Sequence, residues 1–197
     1  MKKVFFFILI FFTVMTAENN CPDSLNFYTE SAVLETDSGS IRITFFENEA
    51  PVHVKNFKDL ISSGFYNGKT FHRIINGFVI QAGRDSSTSY SSIDPEIGRI
   101  HFKGAVAAAR QNDDINPARR SDGYEFYISL KPQPELDGKY TVFGRVAEGF
   151  DTVKRISAAA TDGNDRPMKD IMIKKTYTEK YFDAEKYGFF TRISENR

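Results

Sequence analysis

Between Lys69 and Gly83 the chain reads Lys-Thr-Phe-His-Arg-Ile-Ile-Asn-Gly-Phe-Val-Ile-Gln-Ala-Gly. Apolar and polar residues alternate up to Asn76-Gly77, and a second apolar segment, Phe78 to Ile80, ends at Gln81. Asn-Gly tolerates the positive φ angles of a tight hairpin turn, so the run predicts two antiparallel strands. Side chains alternate between the faces of a strand. With correct register Arg73, a neighbouring phenylalanine and Gln81 therefore share one face. An arginine fixed on a strand beside apolar surface calls for a chemical reason.

Length and charge narrow the class. With 197 residues the chain is long enough for one domain with a sizeable core. Its 26 basic and 26 acidic residues cancel, so no global field draws it to nucleic acid or an anionic membrane. The N-terminus differs from the rest. Lys2 and Lys3 precede an apolar run from Val4 to Met15, and polar residues follow from Glu18. With Ala17 as the small residue, this predicts a secretory signal over residues 1–17 and an exported, periplasmic or secreted protein. The run is short against the about 20 residues of a membrane span, so no integral span is expected after signal removal. Cys21 is the single cysteine and has no internal disulfide partner. A lipid anchor on Cys21 is the less favoured alternative, because Glu18-Asn19-Asn20 is a poor approach to such a site.

A polar leader (residues 18–30) precedes strand-like segments at Ala32–Thr36 and Ser40–Phe46, joined by a turn at Asp37-Ser38-Gly39. Pro51 opens a helix with the stripe Val54, Phe57, Leu60 and Ile61, and Gly64 is placed to end it. Further strands are predicted at 105–110, 124–130, 140–146 and 171–176, and a short helix at 150–158. Long polar loops cover 84–100 and 111–123. Many short strands with two helices predict a closed antiparallel barrel, or a sandwich, with helical plugs. The domain is placed at 31–177, with a C-terminal extension at 178–197 whose spaced aromatics suit packing or a surface helix.

The usual catalytic constellations do not occur. His53, His72 and His101 are not spaced with cysteines or carboxylates as metal ligands. No Gly-rich phosphate loop precedes a helix, and no Gly-x-Ser-x-Gly elbow is present. No metal or cofactor is expected. Asp113-Asp114 and Arg119-Arg120 read as solvated loop residues. The remaining feature, an arginine among apolar side chains, suits chemistry without proton transfer or a covalent intermediate.

The run Phe71-His-Arg-Ile-Ile-Asn-Gly-Phe-Val-Ile-Gln-Ala-Gly83 resembles the signature of the cyclophilins, the peptidyl-prolyl cis/trans isomerases. Gly104-Ala-Val-Ala-Ala-Ala-Arg110, Tyr124-Glu-Phe-Tyr-Ile128 and Leu136-Asp-Gly-Lys-Tyr-Thr-Val-Phe-Gly-Arg-Val146 resemble further family segments in the same order. Secreted bacterial members look most similar, through Ala107-Ala-Ala-Arg-Gln111 and Asp162-Gly-Asn-Asp-Arg-Pro167. The resemblance implies a mainly β fold: a closed antiparallel barrel of about eight strands capped by two helices.

It also implies a mechanism. Amide resonance sets a rotation barrier of about 18–20 kcal/mol, and X-Pro end states close in energy exchange slowly. In the twisted transition state the prolyl nitrogen gains a lone pair, which a guanidinium bonds better than it bonds the planar amide. The resemblance gives that catalytic role to Arg73, oriented with the substrate by Gln81. It gives the prolyl socket to Phe78, Val79, Tyr127, Leu136 and Tyr140, and peptide pairing to the backbone around Ala109. The implied partners are proline-containing polypeptides, and a monomer is expected.

Several residues depart from the family pattern. Glu125 stands where glutamine is usual, among the substrate-binding positions, and its carboxylate is expected near Arg73, where pairing would hold the guanidinium back. Tyr127 replaces phenylalanine, so its hydroxyl needs a partner. Glu135 stands where many eukaryotic members carry tryptophan, which predicts weak cyclosporin binding. The expected function is an isomerase assisting the folding of exported proteins. The alternative is a cyclophilin-fold module that binds proline-containing segments without useful turnover.

Overall fold

The computed structural model describes residues 28–85 and 92–183. The expected signal, most of the leader with Cys21, and residues 184–197 lie outside the described residues. Two strands open the fold, β1 (Tyr28–Thr36) and β2 (Gly39–Phe45). Helix α1 (Pro51–Ser62) follows, then the predicted hairpin of β3 (Phe71–Ile75) and β4 (Val79–Ala82). Gly77 takes φ 68° in its turn, the conformation that Asn-Gly foretells. The remaining elements are β5 (Ser92–Ile93), β6 (Ala105–Ala108), β7 (Ser121–Asp122), β8 (Phe126–Ser129), a 3-10 turn (Pro134–Leu136), β9 (Val142–Glu148), α2 (Phe150–Ser157) and β10 (Ile173–Phe182).

Eight strands form one sheet in the order β10-β1-β2-β9-β6-β8-β4-β3, each paired antiparallel with its neighbours. The expected closed barrel does not form. The margins of the curled sheet, β3 and β10, come together only where the residues just before each strand form an isolated bridge, Thr70 to Met172, flanked by Phe71 N–H donating to the Ile171 carbonyl and Ile173 N–H donating to the Lys69 carbonyl. Beyond it they part. The Ile74 N–H on β3 is taken by the carbonyl of Asp165 in a loop, while β10 runs away along β1. β5 and β7 make a separate two-stranded ribbon that ties the two long loops together.

β10 reaches Phe182, which pairs with Tyr28. The strand pair thus takes in Tyr28–Glu30, read from the sequence as leader, and Thr178–Phe182, read as extension. The aromatic spacing there, with Tyr177 and Tyr181 among charged residues, is that of an edge strand.

Alternation divides each central strand between two apolar clusters. The larger holds Ile80, Val106, Phe126, Ile128 and Phe143, with Val54, Phe57 and Ile61 from α1 and Val153 and Ile156 from α2. Phe57 lies at its centre, with ring centroids 5.2 Å from Phe126 and 5.1 Å from both Tyr66 and Phe143. The intervening residues Val79, Ala105, Ala107, Tyr127 and Val142 form the second cluster on the opposite face, with Phe78, Leu136 and Tyr140 packed against it. Both helices thus serve the core, and the other face of the sheet is left for a site.

The start of α1 shows how the loops are anchored. Its N-terminus has no side-chain cap of its own. Glu96, from the loop after β5, accepts the N–H groups of Val52 and His53, both at 3.0 Å, and so supplies acceptors that the first helical turn lacks.

Candidate active site

The register places one residue from each of five adjacent strands in a row. Arg73 pairs with Gln81, Gln81 with Tyr127, Tyr127 with Ala107, and Ala107 with Val142. Residues directly opposite in neighbouring strands point to the same face, so Arg73 and Gln81 lie beside the second apolar cluster. A bulge between Phe71 and Arg73 lets Phe71 enter the core while Arg73 faces the site.

At the end of the row is a cavity of about 100 Å³ walled by Phe78, Val79, Tyr127, Leu136 and Tyr140. Arg73, Gln81, Ala109 and Arg110 complete its lining. Drug-sized ligands occupy about 300–1,000 Å³, so this socket suits a small apolar ring. It adjoins a cavity of about 600 Å³, which shares Gln81, Ala109 and Arg110 and is further lined by Arg84, Arg120 and Glu125. Eight of the nine residues expected at the site line the small socket; Glu125 lies in the adjoining cavity.

Glu125 does not pair with Arg73. It accepts Gln81 Nε2 at 2.6 Å and Arg84 Nε at 3.1 Å, and His72 Nε2 lies 3.3 Å from the same carboxylate. Burial pushes its pKa up, but His72 and Arg84 outweigh that and hold it below the usual carboxylate value. Arg73 instead meets Asp165, with Nε 3.4 Å from the carboxylate. Asp165 sits at φ 63° in a turn where Asp162 Oδ1 accepts the N–H groups of Asn164 and Arg166.

The Ala109 backbone is partly engaged. Its N–H donates to the Glu125 carbonyl at 2.9 Å, and its carbonyl accepts the Asp122 N–H at 2.8 Å. A peptide strand would use the second lone pair of that carbonyl. Arg110 holds the neighbouring wall. Its Nε donates to the Lys139 carbonyl at 2.7 Å, its Nη2 meets Asp113 at 2.5 Å, and its guanidinium carbon lies 4.5 Å from the Tyr140 ring centroid.

The Tyr127 hydroxyl has its partner in His101 Nε2, 2.8 Å away. His101 Nδ1 in turn lies 2.9 Å from Asp137 Oδ1. Asp165, Arg110 and His101 are absent from the residues expected at the site. His101 is 26 positions from Tyr127 and Asp165 is 92 from Arg73, and no local pattern links such pairs.

A second series, Glu96–His53–Ser121, has the connectivity of a hydrolase relay, with His53 Nε2 2.9 Å from the Ser121 hydroxyl. However, Ser121 is 2% and His53 3% exposed, and the Asp122 N–H beside the serine is already bonded. The series braces α1 against β7.

The matches to known proteins agree with this geometry. The family model described as cyclophilin type peptidyl-prolyl cis-trans isomerase/CLD matches residues 31–178. The chain belongs to the cyclophilin-type peptidyl-prolyl cis-trans isomerases. This cyclophilin is 35% identical over 167 residues to the human peptidyl-prolyl cis-trans isomerase-like 1, covering 79% of this chain and 95% of the relative. The protein of that name from Neurospora crassa is 37% identical over 161 residues, covering 80% and 98%. A Cryptosporidium parvum cyclophilin crystal structure superposes with TM-score 0.70 at 26% identity, covering 76% and 97%. These three are eukaryotic proteins and lend no support to the closeness to secreted bacterial members inferred from Ala107–Gln111 and Asp162–Pro167. Among the described residues no group of three or more His, Cys, Asp or Glu side chains could hold a metal ion.

Proposed function

We propose that this cyclophilin turns X-Pro bonds of extended polypeptides, seating the prolyl ring in the small socket and aiming the Arg73 guanidinium at the prolyl nitrogen. The observation that carries the reading is the row Arg73–Gln81–Tyr127, which sets a permanently charged donor in register with an apolar, ring-sized cavity. Gln81 has one amide hydrogen committed to Glu125, so its orientation is fixed before substrate arrives. The adjoining cavity would take residues flanking proline, with the Ala109 carbonyl as an acceptor.

Exchange spectroscopy on an X-Pro peptide tests the reading. The protein should speed cis/trans exchange, and Arg73→Ala should lose roughly a hundredfold or more, the scale of a lost transition-state donor. Peptide binding without faster exchange would select the second reading, a proline-binding module. That alternative would need the Asp165 carboxylate, 3.4 Å from Arg73 Nε, to hold the guanidinium back from the substrate.

Export is proposed on the composition of residues 1–17, with exported polypeptides as clients, and the mature protein is proposed to act as a monomer. The likeness of two segments to secreted bacterial members is part of that proposal. Among the described residues no helix is long and apolar enough to cross a membrane. Weak binding of cyclosporin is proposed because Glu135 occupies the position where a tryptophan would add apolar contact.

A further inference from the structure

A tyrosine is an odd floor for a socket meant for a hydrocarbon ring, and His101 explains how it is tolerated. Asp137 Oδ1 lies 2.6 Å from the His101 backbone nitrogen and 2.9 Å from its Nδ1. A carboxylate only accepts, so the partners assign the imidazole hydrogen to Nδ1 and leave Nε2 as a bare acceptor. The Tyr127 hydroxyl, 2.8 Å away, must then donate to Nε2. No other hydrogen-bond partner of that hydroxyl occurs among the described residues. The two rings lie nearly parallel, 4° apart, and the His101 ring meets Tyr140, another socket wall, edge-on at 6.4 Å. Asp137 follows Leu136, so one turn supplies both a wall of the socket and the anchor of the histidine.

We propose that His101 is a positioning and specificity-determining residue, which keeps the socket apolar by holding the Tyr127 hydroxyl proton away from it. This rests on the socket being the prolyl site. A doubly protonated His101 donates from both nitrogens, so the hydroxyl must turn to accept. Its proton is then turned away from Nε2, and the socket walls Phe78, Val79 and Leu136 offer it no side-chain acceptor. Proline binding should weaken accordingly in acid.

Asp137 and Glu135 are the charged groups that favour the cation, and Tyr127 and Tyr140 are the titratable rings against it. Burial opposes the cation and outweighs both carboxylates, leaving His101 below its usual 6.5 and neutral at pH 7.

The test follows binding of a proline-containing peptide by NMR between about pH 5 and 8, with exchange measured on the same samples. In the unaltered protein, affinity should fall roughly tenfold as His101 protonates, the scale of one unsatisfied hydroxyl. The Tyr127 ring signals should shift with the same midpoint as the His101 ring. Tyr127→Phe should flatten the acid limb, and His101→Gln, a non-titrating acceptor, should flatten it while retaining the neutral-pH affinity better than His101→Leu. Affinity independent of pH, or an acid limb that survives in Tyr127→Phe, overturns the proposal. Binding without faster exchange at any pH would instead overturn the isomerase reading, and the affinity profile would still decide the role of His101.

Discussion

Arg73 presents its Nε to the Asp165 carboxylate at 3.4 Å, while the next residue, Ile74, donates its backbone N–H to the Asp165 carbonyl at 2.8 Å. The backbone bond fixes where the loop stands, and the ion pair sets where the guanidinium rests. The two side chains are 42% and 43% exposed, and an exposed pair is worth about 0.2–1 kcal/mol. That is too little to keep Arg73 from a substrate. Asp165→Asn should therefore change kcat/KM by less than about fivefold. A large rise on that substitution would show that the pair restrains the enzyme.

The Gln81–Glu125 bond should matter through orientation. Glu125→Gln keeps an acceptor for the Gln81 amide, so kcat/KM should change less than about threefold. Glu125→Leu removes the acceptor and should lower kcat by roughly tenfold while peptide affinity falls less. Steady-state constants for the two variants, compared at pH 7, separate a positioning role from a charge effect.

Stability should fall on mild acidification. Burial depresses the pKa of both His53 and His101 below 6.5, so the unfolded chain binds more protons than the folded one as pH drops past that value. Their contribution is complete above the unfolded value and is lost as pH falls through the depressed folded values. Urea midpoints should be flat above about pH 7 and decline below about pH 6. His53→Gln should reduce the slope of that decline. Equal slopes in the two proteins would contradict the assignment.

Gly83 should tolerate no side chain. It adopts φ 95°, and a Cβ there would lie 2.3 Å from the Tyr124 carbonyl oxygen, which is backbone and cannot swing aside. Gly83→Ala should cost about 2 kcal/mol or more in denaturant unfolding and should also perturb Glu125, the residue after Tyr124.

The hairpin, α1, α2 and the central strands were legible because each carries its own local signal: Asn76-Gly77, Pro51 with its stripe, and alternation through Tyr124–Leu130. Eight of the nine site residues that the family resemblance implied meet at the small socket, because they sit on those strands or on the turns directly beside them. The pairing of Arg73 could not be read this way. The place of Glu125, where the family usually has glutamine, suggested it as the partner, but the bulge before Arg73 and the turn at Asp162 bring Asp165 to it. Closure of the barrel failed for a related reason. Whether the marginal strands meet depends on the course of the 159–172 segment, which has no periodic pattern. His101 read as a loop end because its partners are set only by the tertiary fold.

Phe126 and Tyr127 are consecutive in β8, yet one packs on Phe57 in the core and the other floors the socket. β4, β6 and β9 divide successive residues in the same way. The catalytic surface therefore has no scaffold separate from itself. A one-residue slip in β8 would lose folding and recognition together. Freedom to alter what the socket accepts lies with the walls that occupy no strand. Those are Phe78, Leu136 and Tyr140, and variation in proline-site preference among proteins of this build should concentrate there.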